Sequence, residues 1–241
     1  PVSGSGTMYF VGSFDGEKFV ADDMSYPKWL DYGTDNYAGV TWSNTPDRTV
    51  YIGWMNNWLY AGIVPADPWR SAMTLPRKLE LRKIDGEYVL ASKVVDEIDQ
   101  IASEWKSLDG SRFADMDAYQ IRLTVDMTKE NTWYLSNEDG DYLEFYVNPS
   151  SRMIIAKRNG ATGVTSFSSS FSLPALRLPI YGDADSVELD VYVDRSSVEM
   201  IMSDGSSAMT MIVFPEQIYD RIECADGQPE GKVRSLSRIW K

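Results

Sequence analysis

Three aromatic side chains and two carboxamides lie within a short stretch in the first third of the sequence. Trp54, Trp58 and Tyr60 surround Asn56 and Asn57. A sugar site uses aromatic rings to cover the apolar C–H face of the ligand and fixed amides to bond its hydroxyls. These residue types therefore indicate sugar binding. A core strand that runs into a polar turn explains the same pattern, because tryptophan is usually well buried.

Acid–base chemistry in this chain would have to come from carboxylates. The sequence contains no histidine and one cysteine, Cys224. Ser-His-Asp and Cys-His triads and histidine-ligated zinc are therefore excluded. One cysteine supplies neither a disulfide nor a cysteine-based metal site. We expect no cofactor and no bound metal.

The composition favours a packed protein with an uncharged ligand. The chain has 241 residues, of which 43% are hydrophobic and 12% aromatic, enough for one large or two small domains. Its net charge of −13 argues against nucleic acid and anionic membranes, because both favour surfaces rich in lysine and arginine. No apolar run approaches the length of a membrane span. A neutral carbohydrate is compatible with these properties.

Hairpins dominate the predicted structure around the aromatic stretch. Phe14-Asp-Gly16 and Asp85-Gly86 each separate two β-rich runs, which is typical of hairpin turns. Residues 49–54 are expected to pair with a strand over residues 37–43. The polar, glycine-containing residues 31–35 are expected to form the loop that precedes this pair.

The remaining residues are predicted to form a β-sandwich. Residues 119–125 and 187–193 alternate apolar and polar side chains, which is typical of strands with one buried face. Asp204-Gly205 predicts a further hairpin. The spacing of apolar residues over 94–101 predicts a short helix between the two regions. Residues 166–172, a mixture of serine and phenylalanine, are expected to form a surface loop or edge.

Five motifs follow one another in a fixed order along almost the whole chain. They are Tyr9-Phe-Val-Gly-Ser-Phe-Asp-Gly16, Leu30-Asp-Tyr-Gly-Thr-Asp-Asn-Tyr-Ala38, Thr49-Val-Tyr-Ile-Gly-Trp-Met-Asn-Asn-Trp-Leu-Tyr60, Pro68-Trp-Arg-Ser-Ala-Met73 with Leu75-Pro-Arg77, and Val191-Tyr-Val-Asp-Arg-Ser-Ser-Val-Glu199. The residues of these motifs and their order resemble those of glycoside hydrolase family 32, which comprises invertases, levanases, inulinases and fructan exohydrolases. Asn36 and Ile201 depart from the family, which commonly has Phe at both positions.

The resemblance implies an all-β chain, the C-terminal part of a five-bladed β-propeller followed by a two-sheet β-sandwich. Residues 1–82 would supply about the last propeller blade, residues 83–102 a connector with a short helix, and residues 103–241 the sandwich. The family implies an extracellular or periplasmic protein, although no signal peptide is visible in the sequence. An incomplete propeller leaves a strand edge unpaired, so we expect self-association through that open edge.

The resemblance also implies a set of substrate-binding residues. Trp54 would line the pocket that holds a terminal fructosyl ring, and Asn57 and Trp58 would flank it. Tyr32 and Asp35 would lie on a loop at the same rim, where the Asp35 carboxylate would accept hydrogen bonds from sugar hydroxyls. The expected ligand is a fructan or a sucrose-type carbohydrate.

Two further groups are expected to be structural. Arg70, which follows Trp69, is predicted to bond a buried carboxylate or backbone carbonyls and so hold its strand. The polar residues of the run from Asp194 and Arg195 to Glu199 are predicted to form a salt bridge that stabilises a hairpin.

No residue of this chain is assigned a catalytic role. Retaining glycosidases need two carboxyl groups about 5 Å apart. In the family the nucleophilic Asp lies in a Trp-Met-Asn-Asp-Pro-Asn-Gly motif, a transition-state stabilising Asp in Arg-Asp-Pro and the acid/base Glu in Glu-Cys-Pro. All three motifs lie upstream of the piece that begins at Tyr9. Here Trp54-Met-Asn-Asn57 lacks the aspartate, Ala225 follows Glu223-Cys224 in place of proline, and Arg-Asp-Pro is absent.

The leading interpretation is therefore the C-terminal part of a retaining β-fructosidase without its catalytic carboxylates. A fructan-binding module and a purely structural sandwich are the alternatives.

Overall fold

The computed structural model describes residues 5–25, 28–110, 113, 116–172 and 175–239, and these residues form an all-β structure. The ends of the predicted domains, residues 1–4 and 240–241, lie outside the described residues. Within the described part, no helix is long and apolar enough to span a membrane.

The first part of the chain contains one antiparallel sheet and two small strand pairs. The sheet has the order β5-β6-β8-β9, and the short β7 also pairs with β6. Strand β2 pairs with β3, and β1 pairs with β4. The strands are β1 (Met8–Tyr9), β2 (Gly12–Phe14), β3 (Phe19–Ala21), β4 (Lys28–Trp29), β5 (Tyr37–Thr41), β6 (Thr49–Met55), β7 (Ala72–Met73), β8 (Arg77–Ile84) and β9 (Glu87–Val94).

The predicted hairpins of this part are confirmed. Strands β2 and β3 are joined through Asp15, whose carboxylate accepts hydrogen bonds from the amides of Glu17 and Lys18 at 2.8 and 2.7 Å. Asp85 and Gly86 join β8 to β9 with φ of 50° and 86°. Two positive φ angles match the twist of the flanking strands, which explains the Asp-Gly pair at this turn.

The predicted helix over residues 94–101 is shorter than expected and is a 3₁₀ helix. It spans Asp96–Gln100, because Val94 belongs to β9 and Val95 is still extended. Ile98 nevertheless packs on a buried cluster that includes Tyr192 and Ile201 from one sheet of the second part of the chain.

Two antiparallel sheets form the second part and enclose one core. The six-stranded sheet has the order β10-β20-β11-β16-β17-β18, and the five-stranded sheet has the order β15-β14-β13-β12-β19. A short 3₁₀ helix, Gly160–Thr162, follows β14. The strands are β10 (Lys106–Ser107), β11 (Tyr119–Asp126), β12 (Asn131–Ser136), β13 (Tyr142–Asn148), β14 (Met153–Lys157), β15 (Leu176–Pro179), β16 (Ser186–Asp194), β17 (Ser197–Met202), β18 (Ala208–Ile212), β19 (Arg221–Cys224) and β20 (Gly231–Ser235).

Alternation along these strands builds the core, as the sequence predicts. Ile121 and Leu123 of β11 and Val191 of β16 are fully buried from one sheet. Leu143 and Phe145 of β13 are fully buried from the other, and all belong to a single apolar cluster. Side chains two residues apart share a face of a strand, so each sheet contributes one apolar face.

The expectation that residues 166–172 form a surface loop is wrong for its phenylalanines. Phe171 is 1% exposed and packs edge-on against Tyr60, with ring centroids 5.3 Å apart. Phe167 packs on the same apolar cluster, which also contains Met55. This cluster therefore joins the two parts of the chain.

The β18 edge of the six-stranded sheet is covered by the loop over residues 31–36. Strand β18 has a partner strand on one side only, yet all five of its residues are buried. Two loop amides donate to its carbonyls, and two loop carboxylates accept from its amides. The four bonds are Tyr32 N to Ala208 O at 2.7 Å, Asp35 N to Thr210 O at 3.3 Å, Thr210 N to Asp31 Oδ1 at 2.8 Å, and Ile212 N to Asp35 Oδ2 at 3.0 Å.

Candidate functional site

An aromatic wall, defined here as Tyr37, Trp54 and Trp58, occupies one end of the first sheet. Tyr37 and Trp54 are cross-strand partners on β5 and β6, with ring centroids 6.5 Å apart in an edge-on arrangement. The Trp58 ring lies 5.1 Å from that of Trp54, tilted by 42°. Trp58 is 72% exposed and Trp54 is half-buried. The wall thus offers indole surface to solvent, as a sugar platform requires.

The two asparagines between these rings shape the turn that carries Trp58. Asn56 accepts the Asn57 amide at 2.8 Å, and Asn57 Oδ1 accepts the Leu59 amide at 3.0 Å. Asn57 Nδ2 donates to the Thr34 carbonyl at 2.8 Å. Asn57 is 1% exposed, so its amide faces the protein rather than a ligand. The expectation that it flanks the sugar is corrected accordingly.

Asp35 does not lie at a rim. It is fully buried, and its Oδ2 accepts the Arg158 guanidinium at 2.7 Å and the Ile212 amide at 3.0 Å. Its Oδ1 accepts the Tyr60 hydroxyl at 2.5 Å. These protein donors replace the sugar hydroxyls of the sequence-based expectation, because the carboxylate points into the junction between the two parts.

Tyr32 is oriented toward the second part of the chain. Its half-buried hydroxyl bonds that of Tyr181 at 3.0 Å. Burial and the neighbouring Tyr181 hydroxyl raise the pKa of Tyr32, so it stays neutral throughout the physiological range. The backbone of Tyr32 belongs to the loop on β18, which places this residue beside the junction.

A second buried ion cluster was missed by the sequence interpretation. Arg77 is fully buried and bonds Asp31 at 2.8 Å and Glu199 at 2.6 Å. Thr210 joins this cluster through its hydroxyl, 2.7 Å from the guanidinium. The expected hairpin salt bridge is therefore wrong for Glu199, which pairs across the junction. Asp194 instead accepts the Arg195 amide at 2.7 Å.

Opposing effects set the protonation of the two acids in this cluster. Burial disfavours the ionised form of Asp31, but the Arg77 charge and the hydrogen bonds from Thr210 and Arg77 outweigh it and lower the pKa of Asp31. For Glu199, burial prevails over the attraction of Arg77 and raises the pKa. Desolvation raises the pKa of a carboxyl group and a nearby positive charge lowers it. The positive charge and hydrogen bonds prevail at Asp31, and desolvation prevails at Glu199.

Arg70 bonds a backbone carbonyl, as predicted, but it is exposed and lies outside the strands rather than holding one. Its Nε donates to the Val64 carbonyl at 3.2 Å. The neighbouring Trp69 is 75% exposed. Trp69 and Val64 also line a cleft of about 120 Å³ between the two parts, whose polar Asn56 and Ser71 side chains bond each other at 2.9 Å.

Four acids that lie in or resemble family motifs are engaged with other protein groups. Asp31, Asp35 and Glu199 are held by buried arginines. Glu223 lies on β19 of the five-stranded sheet and accepts the Ser136 hydroxyl at 3.0 Å. Among the described residues, no group of three or more acidic or cysteine side chains could hold a metal ion.

Comparison with known families assigns the chain to a class of carbohydrate-cleaving enzymes. The description "Glycosyl hydrolases family 32 N-terminal domain" matches residues 2–92, and "Glycosyl hydrolases family 32 C terminal" matches residues 91–240. The chain belongs to glycoside hydrolase family 32, as its motifs indicate. It contains residues of both family domains, and the aromatic wall falls within the N-terminal-domain match.

Individual relatives agree with this assignment. The chain is 31% identical over 260 residues to a levanase of Bacillus subtilis, covering 98% of this chain and 38% of the levanase. It is 43% identical over 108 residues to an extracellular exo-inulinase of Aspergillus niger, covering 42% of this chain and 20% of that protein. The chain thus spans well under two thirds of the length of these relatives.

Solved structures share the fold. The crystal structure of exo-inulinase from Aspergillus awamori superposes with a TM-score of 0.85 at 26% identity, covering 98% of this chain and 50% of that one. A sucrose-6-phosphate hydrolase from Lactobacillus gasseri gives a TM-score of 0.79 at 22% identity, covering 97% and 48%, which is a likeness of fold.

Proposed function

We propose that this chain is part of a retaining β-fructosidase that cleaves terminal fructosyl units from levan, inulin or sucrose. Membership of glycoside hydrolase family 32 supports the reaction class, and the names of the levanase and exo-inulinase relatives support the substrate class. The observation that carries the proposal is the tilted contact of Trp58 with Trp54, which leaves indole surface accessible within the N-terminal-domain match.

The proposed roles follow from exposure. Trp54 and Trp58 cover the apolar face of the fructosyl ring, with Tyr37 supporting Trp54 from the neighbouring strand. Asn57 acts indirectly, because it holds the turn that presents Trp58. Tyr32 and Asp35 support the junction under this site, since their polar atoms bond other protein groups.

The nucleophile and the acid/base are proposed to lie outside this chain. The sequence contains none of the three family acid motifs in complete form. The buried acids beside the junction are engaged with Arg77 and Arg158, and a retaining mechanism needs two accessible carboxyl groups facing one bond.

The finer architecture is proposed on the same basis. Residues 1–82 form about the last blade of a five-bladed propeller, residues 83–102 a connector, and residues 103–241 the sandwich. Secretion is proposed because relatives are named as extracellular exo-inulinases.

Calorimetric titration of this chain with fructo-oligosaccharides, together with an assay for fructose release from levan, tests the proposal. We expect binding without release. Trp58→Ala should weaken binding about two- to tenfold, the equivalent of one aromatic contact of ~0.5–1.5 kcal/mol. Trp69→Ala is the matched control, because Trp69 is equally exposed at 75% and lies outside the wall. Release of fructose by this chain, or equal losses in both variants, would contradict the proposal.

A structural role is the second candidate, favoured by the two buried arginine clusters that join the parts of the chain. In that case the sandwich supports the propeller and binds no sugar itself. Absence of heat with fructo-oligosaccharides at millimolar concentration would favour this candidate.

A further inference from the structure

Arg158, next to the five-stranded sheet, uses its whole guanidinium group at the junction. It follows directly after β14, is 4% exposed, and its guanidinium lies 3.8 Å from the ring centroid of Phe171. All three nitrogens donate to acceptors on different segments, two of them to more than one. The bonds are Nε to Phe171 O at 2.8 Å, Nη1 to Asp35 Oδ2 at 2.7 Å and Ile212 O at 2.9 Å, and Nη2 to Thr34 Oγ1 at 3.1 Å and Tyr60 Oη at 3.0 Å.

Two of these acceptors lead directly to the turn that carries Trp58. Tyr60 ends the turn, and its amide donates to the Asn57 carbonyl at 3.0 Å. The Thr34 carbonyl accepts the Asn57 side chain at 2.8 Å. Arg158 therefore bonds one end of the turn directly, at Tyr60, and the other end, Asn57, through Thr34.

Trp58 itself depends on this turn for its position. Its side chain is 72% exposed, and its ring contacts that of Trp54 in a tilted arrangement at 5.1 Å. A largely solvated indole is held by its backbone rather than by surrounding side chains. The orientation of the Trp58 ring on Trp54 is consequently set by the Asn57–Tyr60 turn and by the groups under it.

We propose that Arg158 is a positioning residue through which the sandwich sets the geometry of the aromatic wall. This inference rests on the proposed function of that wall. Arg158 lies too deep to meet a sugar, so it acts through Tyr60, Thr34 and Asn57. The orientation of the Trp58 ring in the sugar site is then controlled by a residue of the sandwich.

Lysine cannot take over this role. An arginine presents five N–H donors in a rigid fork, whereas a lysine carries three donors on one nitrogen at the end of a flexible stem. Arg158→Lys keeps the positive charge beside Asp35 but cannot reach the Phe171 carbonyl, the Ile212 carbonyl and Tyr60 together. Tyr60→Phe is a milder variant, since it removes the hydroxyl that bonds Asp35 and Arg158 but keeps the ring on Phe171.

Circular dichroism of the coupled indoles reports the geometry directly. Two adjacent indoles that are tilted against each other, as Trp54 and Trp58 are by 42°, give an exciton couplet whose amplitude depends on their distance and angle. The Trp54–Trp58 contribution is obtained in each background as the difference from the same protein carrying Trp58→Phe. Arg122→Lys is the matched control, because Arg122 pairs with Asp190 on the six-stranded sheet at 2.7 Å, away from the turn.

We expect Arg158→Lys to reduce the couplet and to weaken 1-kestose binding about two- to fivefold, the equivalent of ~0.4–1 kcal/mol and less than the loss in Trp58→Ala. Tyr60→Phe should reduce both by less, and Arg122→Lys should leave both unchanged. An unchanged couplet in a folded Arg158→Lys protein would overturn the inference. If Arg158→Lys does not fold, an unchanged couplet in Tyr60→Phe would do so.

The two proposals fail separately. A wild-type chain that binds no 1-kestose overturns the proposed function, while loss of the couplet in Arg158→Lys would still support the positioning role. Sugar binding by the wild type with an unchanged couplet in the variants supports the function and overturns the positioning role.

Discussion

Removal of the Arg77 side-chain charge should destabilise the protein more than any exposed charge change. Arg77→Met keeps an unbranched apolar stem in the same space but leaves Asp31 and Glu199, 1% and 3% exposed, without their cation. Breaking a buried ion pair by removing one partner costs about 3–5 kcal/mol, because the remaining charge stays desolvated. In a domain of this size, each kcal/mol lowers the Tm by about 2–4 °C. We expect a decrease of about 6–20 °C at pH 7.

The pH dependence distinguishes this cause from a packing defect. In the wild type the pKa of Asp31 is lowered, so its contribution to stability is present above the unfolded pKa and is lost as the pH falls through the folded value. The pKa of Glu199 is raised, so its ionisation costs stability as the pH rises through the folded value. Without Arg77 both pKa values rise, and both acids can take up protons.

Urea unfolding of the wild type and Arg77→Met at pH 5 and pH 7, followed by circular dichroism, measures the effect. We expect the difference in the free energy of unfolding to be smaller at pH 5, where protonation removes the buried charge. Arg122→Met is the control, because Asp190 keeps a hydrogen bond from Gln120 at 2.9 Å in that variant. A loss below about 1 kcal/mol at pH 7, typical of a surface pair, or a loss independent of pH, would refute the reasoning.

Two further predictions concern the junction and the strand edges. Gly33→Ala should destabilise the protein by several kcal/mol in thermal melting, because a Cβ there would lie 1.9 Å from the Thr210 carbonyl oxygen. Gly62→Ala is the control and should be nearly neutral, since a Cβ there would have nothing within 4 Å. Similar Tm values for both variants would contradict the close approach at Gly33. Strand β5 pairs with β6 only and exposes Val40 at 61%, and Trp42 directly after the strand is 44% exposed, so Val40→Lys should reduce self-association of this chain in light scattering. A wild type that stays monomeric at high concentration would show that this edge does not associate.

Local patterns in the sequence predict much of the fold. Asp85-Gly86 identifies a hairpin because only a few residue types adopt positive φ at both turn positions. The alternation over residues 119–125 and 187–193 identifies buried strand faces because side chains point to opposite faces in turn. Both signals depend on residues within a few positions of one another, so no knowledge of the partner strand is needed.

The candidate site was predictable only in part. The Trp54 and Trp58 cluster is contiguous in sequence, and the structure brings both rings together. Asp35 and Arg158 are 123 residues apart in sequence, so the residues around either one do not predict that the two form a buried ion pair. The polar residues 31–35 predict a solvent-exposed loop. In the structure their carboxylates instead accept hydrogen bonds from backbone amides on the free edge of β18. Asp31, Arg77 and Glu199 of the second ion cluster each lie in one of the five motifs, but the motifs are far apart in sequence and give no pairing between them.

Fluorine NMR of this chain with 5-fluorotryptophan in place of its eight tryptophans tests the central claim most directly. Each indole is assigned by single substitution and followed during titration with a fructo-oligosaccharide. We predict saturable shifts at Trp54 and Trp58, and none at Trp133, which is 4% exposed in the sandwich core. Shifts confined to Trp69 or Trp105, or no shift at any indole, would contradict a fructosyl site on the aromatic wall.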